Sequence, residues 1–111
     1  MVAYSGRVPS SRDLDSAFRA IADPTRRALI EELGERNDQS LFELCTRLMS
    51  DRETTVTRQA VSKHIAVLEE AGLVSVRKLG RTNIHHLDTS RLAEVAVWIR
   101  TNAVTNTKEQ R

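Results

Sequence analysis

Arg58-Gln59-Ala60-Val61-Ser62-Lys63-His64-Ile65-Ala66-Val67-Leu68-Glu69-Glu70-Ala71-Gly72-Leu73-Val74 is the stretch that decides how this chain folds. Thr57 ahead of it can cap a helix, and Gly72 can take the left-handed backbone that closes one, with Leu73 as the apolar residue that usually follows. The spacing predicts a helix from Arg58 to about Ala71. At about 100° per residue, Ala60, Val61, His64, Ile65 and Leu68 gather on one side and Gln59, Ser62, Lys63 and Ala66 on the other. Such a helix buries one face and displays the other as a row of short polar and basic side chains around an alanine that blocks nothing.

Downstream, Leu73-Val74-Ser75-Val76-Arg77-Lys78 and Thr82-Asn83-Ile84-His85-His86-Leu87 are β-rich runs joined through Leu79-Gly80-Arg81, which predicts a hairpin with a basic tip. Asp88 can cap a last helix with Leu92, Val95, Ala96 and Ile99 on one stripe and Trp98 at its edge, giving way to a polar tail from about Asn102.

Upstream, Ser40-Leu41-Phe42-Glu43 has the form of a capping box, and Leu41, Leu44, Cys45 and Leu48 follow at helical spacing, so a third helix runs from Leu41 to near Ser50. Asp23-Pro24 opens a second helix to about Leu33, with Ala28, Leu29 and Leu33 facing inward. Leu14, Ala17, Phe18 and Ile21 mark a first helix from Asp13. Gly34 to Gln39 reads as a polar connector and Ser50 to Val56 as a loop. The expected chain is mostly helical with a small β-hairpin, in the order α-α-α-α-β-β-α: one domain over residues 13–101, a flexible arm at 1–12 and a polar tail at 102–111.

Composition agrees and excludes alternatives. The 111 residues suit one domain, and 40% apolar with 29% charged residues supply one core. Uncharged apolar runs such as Ala71-Gly72-Leu73-Val74 are far shorter than the roughly 20 residues of a membrane span. The N-terminus lacks the pattern of a signal peptide, so a cytoplasmic protein is expected. Cys45 is the single cysteine, which rules out an internal disulfide and any zinc site built from two thiolates of one chain; its leucine neighbours make it a core residue. The net charge is only +2, but residues 1–50 hold seven basic and eight acidic side chains against ten and seven in residues 51–111. The positive excess belongs to the half that carries the helix and hairpin.

Two helices joined by a turn and followed at once by a basic hairpin form a winged helix-turn-helix, whose second helix fits the DNA major groove. Gln59 offers the bidentate pattern that adenine accepts, Lys63 reaches guanine acceptors, and Ser62 can bond a base or a phosphate. Thr57 and Arg58 at the helix start suit phosphates. Arg77, Lys78 and Arg81 have no acidic residue beside them between Gly72 and Leu87, a footprint for the phosphate backbone or the minor groove. His64, on the apolar side, is carried as a further DNA candidate with packing as the plainer reading. His85 and His86 are adjacent on a strand and point to opposite faces, which makes joint chelation poor. Double-stranded DNA is the expected partner; the rival is a winged-helix module that binds a protein through the same surface and reads no DNA sequence. Three histidines and one cysteine form no nucleophile–base arrangement and no Gly-rich phosphate loop occurs, so neither an enzyme nor a cofactor is expected.

Ala22-Asp-Pro-Thr-Arg-Arg-Ala-Leu-Ile30, the Arg58 to Val74 stretch, Gly80-Arg81 and Leu87-Asp88, in this order, resemble the ArsR/SmtB family of bacterial winged-helix repressors over roughly residues 14 to 100. The resemblance implies a homodimer in contact through its first and last helices, with Leu14, Phe18, Leu92, Val95, Trp98 and Ile99 as interface residues. It implies two recognition helices on an imperfect inverted repeat, and repression by blocking polymerase. Metal sensors of the family carry a Cys-x-Cys unit where this chain has Glu43-Leu44-Cys45-Thr46-Arg47, and their second site needs His and Glu where this chain has Thr101 to Val104. No metal is therefore expected, and the resemblance is to non-metal members, whose small-molecule effector, where one exists, the sequence does not identify.

Overall fold

The computed structural model describes residues 11–53 and 55–109. Five helices and three short strands follow in the order α1 (Ser11–Ile21), α2 (Pro24–Glu35), β1 (Gln39–Ser40), α3 (Leu41–Asp51), α4 (Arg58–Glu70), β2 (Val74–Leu79), β3 (Thr82–Leu87) and α5 (Thr89–Glu109). The arm expected at 1–12 lies outside the described residues as far as residue 10, and Ser11 already belongs to α1.

Local chemistry sets the helix ends. The Asp23 carboxylate accepts from the Arg26 amide at 3.0 Å and Pro24 takes the first helical position of α2. Ser40 Oγ accepts from the Glu43 amide while Glu43 Oε1 accepts from the Ser40 amide, completing the capping box of α3. Thr57 caps α4 through the Ala60 amide. At its other end the Leu73 amide bonds the Leu68 carbonyl and the Gly72 amide that of Glu69, a Schellman closure with Gly72 at φ 80°.

Two expectations need correction. The connector before α3 is not wholly irregular, because Gln39 and Ser40 pair with His85 and Ile84 and make β1 the third strand of an antiparallel sheet ordered β1-β3-β2. Two residues are too few to leave an alternating pattern in the sequence; the pairing is made by the neighbouring strand and by Asn37, whose side-chain oxygen accepts from the Leu87 amide at 2.8 Å. The last helix does not give way at Asn102 but continues to Glu109, since the residues there include no Pro or Gly to end it.

Leu29 and Leu33 of α2, Leu44 and Leu48 of α3, and Val61, Ile65 and Leu68 of α4 form the core, closed below by Leu73, Val74 and Leu87. Packing of the α4 apolar stripe turns the opposite face outward. Among the described residues no helix is long and apolar enough to cross a membrane.

Candidate nucleic-acid interface

The outward row of α4 is the one its spacing predicts: Gln59, Ser62, Lys63 and Ala66 are exposed while Val61, Ile65 and Leu68 are buried. Beside it stands the β2–β3 hairpin, whose register pairs Leu79 with Thr82 and leaves Gly80 and Arg81 as a two-residue turn. Gly80 takes φ 64° in the first turn position, where any other residue is strained. That turn holds Arg81 outward. Among the described residues Arg58, Lys63, Lys78 and Arg81 have no carboxylate partner, so their charge remains available to a polyanion.

Arg77 differs. Asp38, far away in sequence and held at φ 65° in the turn before β1, places its carboxylate 3.6 Å from the Arg77 guanidinium and 3.1 Å from His86 Nδ1. The acid-free run from Gly72 to Leu87 thus acquires an acidic neighbour through β1 pairing, and Arg77 is partly neutralised.

His64 is half-buried against the start of α2, its Nδ1 3.2 Å from Arg26 Nη1 and 3.8 Å from the Asp23 carboxylate. Because a guanidinium only donates, Nδ1 is the acceptor there. His64 therefore joins α4 to α2 and does not stand in the exposed row. Burial disfavours the Asp23 carboxylate, but the hydrogen bond from the Arg26 amide and the nearby Arg26 charge outweigh it and hold Asp23 below its usual range.

An ion network fixes α3 and the loop before α4. Glu32, only 1% exposed, accepts Arg47 Nε at 2.6 Å and Arg52 Nε at 2.9 Å, one on each oxygen. Arg47 continues to Glu35 and Asp51, and Arg52 to Glu31. Burial alone would raise the Glu32 pKa, yet the two guanidinium hydrogen bonds overcome it and keep the carboxylate ionised below its usual range. Arg52, at the C-cap of α3, thereby ties the end of that helix to α2. Cys45 is half-buried beside this layer, and burial pushes its thiol up against the opposing pull of Arg58.

Between α4, the start of α3 and the hairpin runs a cleft of about 400 Å³, lined by Arg58, Ser62 and Arg81 together with Ser40, Phe42 and His85. The last three were not singled out from sequence as DNA-facing. Phe42 is 64% exposed, and the signal for it was its place one residue off the Leu41 and Leu44 stripe, where an aromatic has no core to enter. His85 is 6% exposed and its Nδ1 lies 2.9 Å from the Gln39 carbonyl. Only the β1 pairing could have revealed it.

The residues assigned to subunit contact divide into two sets. Val95 is buried within the chain, and Leu14, Phe18 and Leu92 are half-buried between α1 and α5. Trp98 and Ile99 are each 49% exposed and are joined on α5 by exposed Val97 and Val104. The latter pair lies one heptad apart and would have emerged had the helical period been carried past residue 101.

A helix-turn-helix domain family matches residues 21–77. The chain is 44% identical over 70 residues to the HTH-type transcriptional regulator YuzN of Bacillus subtilis strain 168, covering 63% of this chain and 76% of that protein. It is 39% identical over 82 residues to the HTH-type transcriptional regulator Rv2034 of Mycobacterium tuberculosis, covering 74% and 70%. The structure of an ArsR-like transcriptional regulator from Rhodococcus sp. RHA1 superposes with a TM-score of 0.70 at 32% identity, covering 89% of this chain and 88% of that one.

Proposed function

Because this chain belongs to the ArsR family of helix-turn-helix transcriptional regulators, we propose that it acts in the cytoplasm as a homodimeric repressor that binds an imperfect inverted repeat in duplex DNA. The observation that carries this reading is the exposed Gln59, Ser62 and Lys63 row beside a cleft lined by Arg58 and Arg81, cations with no carboxylate partner among the described residues. Gln59, Ser62 and Lys63 read base edges in the major groove. Thr57, Arg58, Lys78 and Arg81 hold the phosphate backbone, with Arg77 contributing less because Asp38 shares its charge. His64 serves packing. The exposed Val97, Trp98, Ile99 and Val104 of α5 supply the apolar surface for a second subunit, whose own reader helix takes the other half-site. Occupying a promoter in this way excludes polymerase. Any effector would be a small molecule acting on the dimer.

The test is fluorescence anisotropy of the full chain on the DNA just upstream of its own gene, across a salt series and against a scrambled duplex. Binding that resists the scrambled competitor, with two chains per site and a steep salt slope, is the expected result. Equal displacement by scrambled DNA at every salt concentration, repeated with duplexes selected from a random pool, would overturn it in favour of a protein-binding module.

A further inference from the structure

A reader helix in the major groove and a wing in the adjoining minor groove straddle one DNA strand, because a sugar-phosphate strand is what separates the two grooves. That strand must run through the space between α4 and the hairpin, and the cleft described above occupies that space. Its walls are Arg58 from α4 and Arg81 from the hairpin turn, neither of which has a carboxylate partner among the described residues. Ser62 adds a hydroxyl, and Phe42 stands exposed at the rim, where an aromatic face can cover a deoxyribose. At the start of α3 the capping box uses the Ser40 and Glu43 amides and leaves those of Leu41 and Phe42 without an intrahelical acceptor.

His85 lines the same cleft and is otherwise buried. Its Nδ1 faces the Gln39 carbonyl, which can only accept, so the ring hydrogen of the neutral imidazole sits on Nδ1. Among the described residues Nε2 has no hydrogen-bond partner and is not one of their buried unpaired atoms, so it opens to solvent through the cleft. Of the carboxylates on the adjoining elements, Glu43 of α3 is engaged with the Ser40 amide and Arg36, Asp51 of α3 with Arg47, and Asp38 before β1 with Arg77 and His86, while Glu69 and Glu70 lie at the far end of α4. None of them lines the cleft to neutralise a charge on His85, whereas a phosphate there would.

We propose that this cleft seats one phosphodiester group of the DNA strand, gripped by Arg58 and Arg81 together, with His85 beneath it taking up and keeping one proton from solvent at Nε2 and donating that N–H as a hydrogen bond to a phosphate oxygen. The proposal rests on the DNA-binding reading above and adds that two side chains from different elements share a single phosphate and that binding is proton-linked.

The test uses the full chain and a duplex obtained from it by in vitro selection, with each phosphate replaced in turn by an uncharged methylphosphonate. One replacement is expected to weaken the wild type by about tenfold or more, and the same replacement to have little further effect in both Arg58→Ala and Arg81→Ala. Affinity should rise towards acid pH, by up to about tenfold per pH unit for one proton taken up, and His85→Gln, shown by thermal melting to be folded, should flatten that dependence. Arg58 and Arg81 mapping to two different phosphates, or an unchanged pH dependence in His85→Gln, would overturn the proposal while leaving sequence-specific DNA binding standing. Failure to select any preferred duplex would overturn both.

Discussion

Phe18 of α1 and Trp98 of α5 meet edge to face, their ring centroids 5.5 Å apart and their planes at 76°, while half of the Trp98 surface remains uncovered. The covered half belongs to the fold and the open half continues into Val97, Ile99 and Val104. Trp98 thus joins the inner packing of the subunit to the surface assigned to its partner.

Trp98→Ala is expected to weaken self-association by about a hundredfold, as loss of an aromatic anchor at the centre of an interface does. Val104→Glu, at a half-exposed position outside the core cluster, should do the same by placing a charge on that face. Sedimentation equilibrium checks both, and an unchanged dimer constant in the pair would remove α5 from the interface.

Glu32→Gln leaves Arg47 and Arg52 without their shared carboxylate and should destabilise the chain by about 3 kcal/mol, towards the low side for a buried pair because both arginines can rehydrate. The pKa of Glu32 is depressed below its usual 4.5, so its contribution is complete above that value and is lost as pH falls through the lower, folded-state value. Asp23 and Asp88 shift in the same direction. Denaturant unfolding as a function of pH should therefore show a shallower acid decline in Glu32→Gln than in the wild type. Equal declines would mean that the network contributes no proton linkage.

Gly72→Ala should cost about 1 to 2 kcal/mol, because φ 80° is unfavourable for alanine. Its Cβ would stand 3.4 Å from the guanidinium of Arg91, in ordinary contact with a side chain that bridges Asp13 and Glu94, so the cost lies in the backbone. A melting temperature equal to the wild type would show that the Schellman closure of α4 tolerates a side chain.

Gln59→Ala and Lys63→Ala are expected to lose about 1 to 3 kcal/mol on the selected site and little on random DNA, whereas Arg81→Ala should weaken both and lower the salt slope by about one. Competition anisotropy on the two duplexes reads this directly. Preserved discrimination in Gln59→Ala and Lys63→Ala would place sequence readout elsewhere.

Much of this was legible beforehand because it is local. The caps at Asp23, Ser40 and Thr57, the Gly72 closure and the hairpin turn at Gly80 each depend on residues three to five apart, and each stands where its spacing put it. The exposed row of α4 was legible for the same reason, since a helix with one apolar stripe has only one way to bury it. What escaped were contacts between residues far apart. Gln39 meets His85 and Asp38 meets Arg77 and His86 across separations that no periodicity encodes.

The sequence by itself determined the five helices and the hairpin, their order and the chemical character of the exposed helix face, because hydrogen bonding and amphipathic spacing act within a few residues along the chain. Only the tertiary structure decided which charges stay free. Asp38 is brought to Arg77, Asp23 and Arg26 to His64, and Glu32 to Arg47 and Arg52, while Arg58 and Arg81 are left facing each other across an open cleft. Electrostatic pairing depends on distance through space, and that distance is set when the core closes.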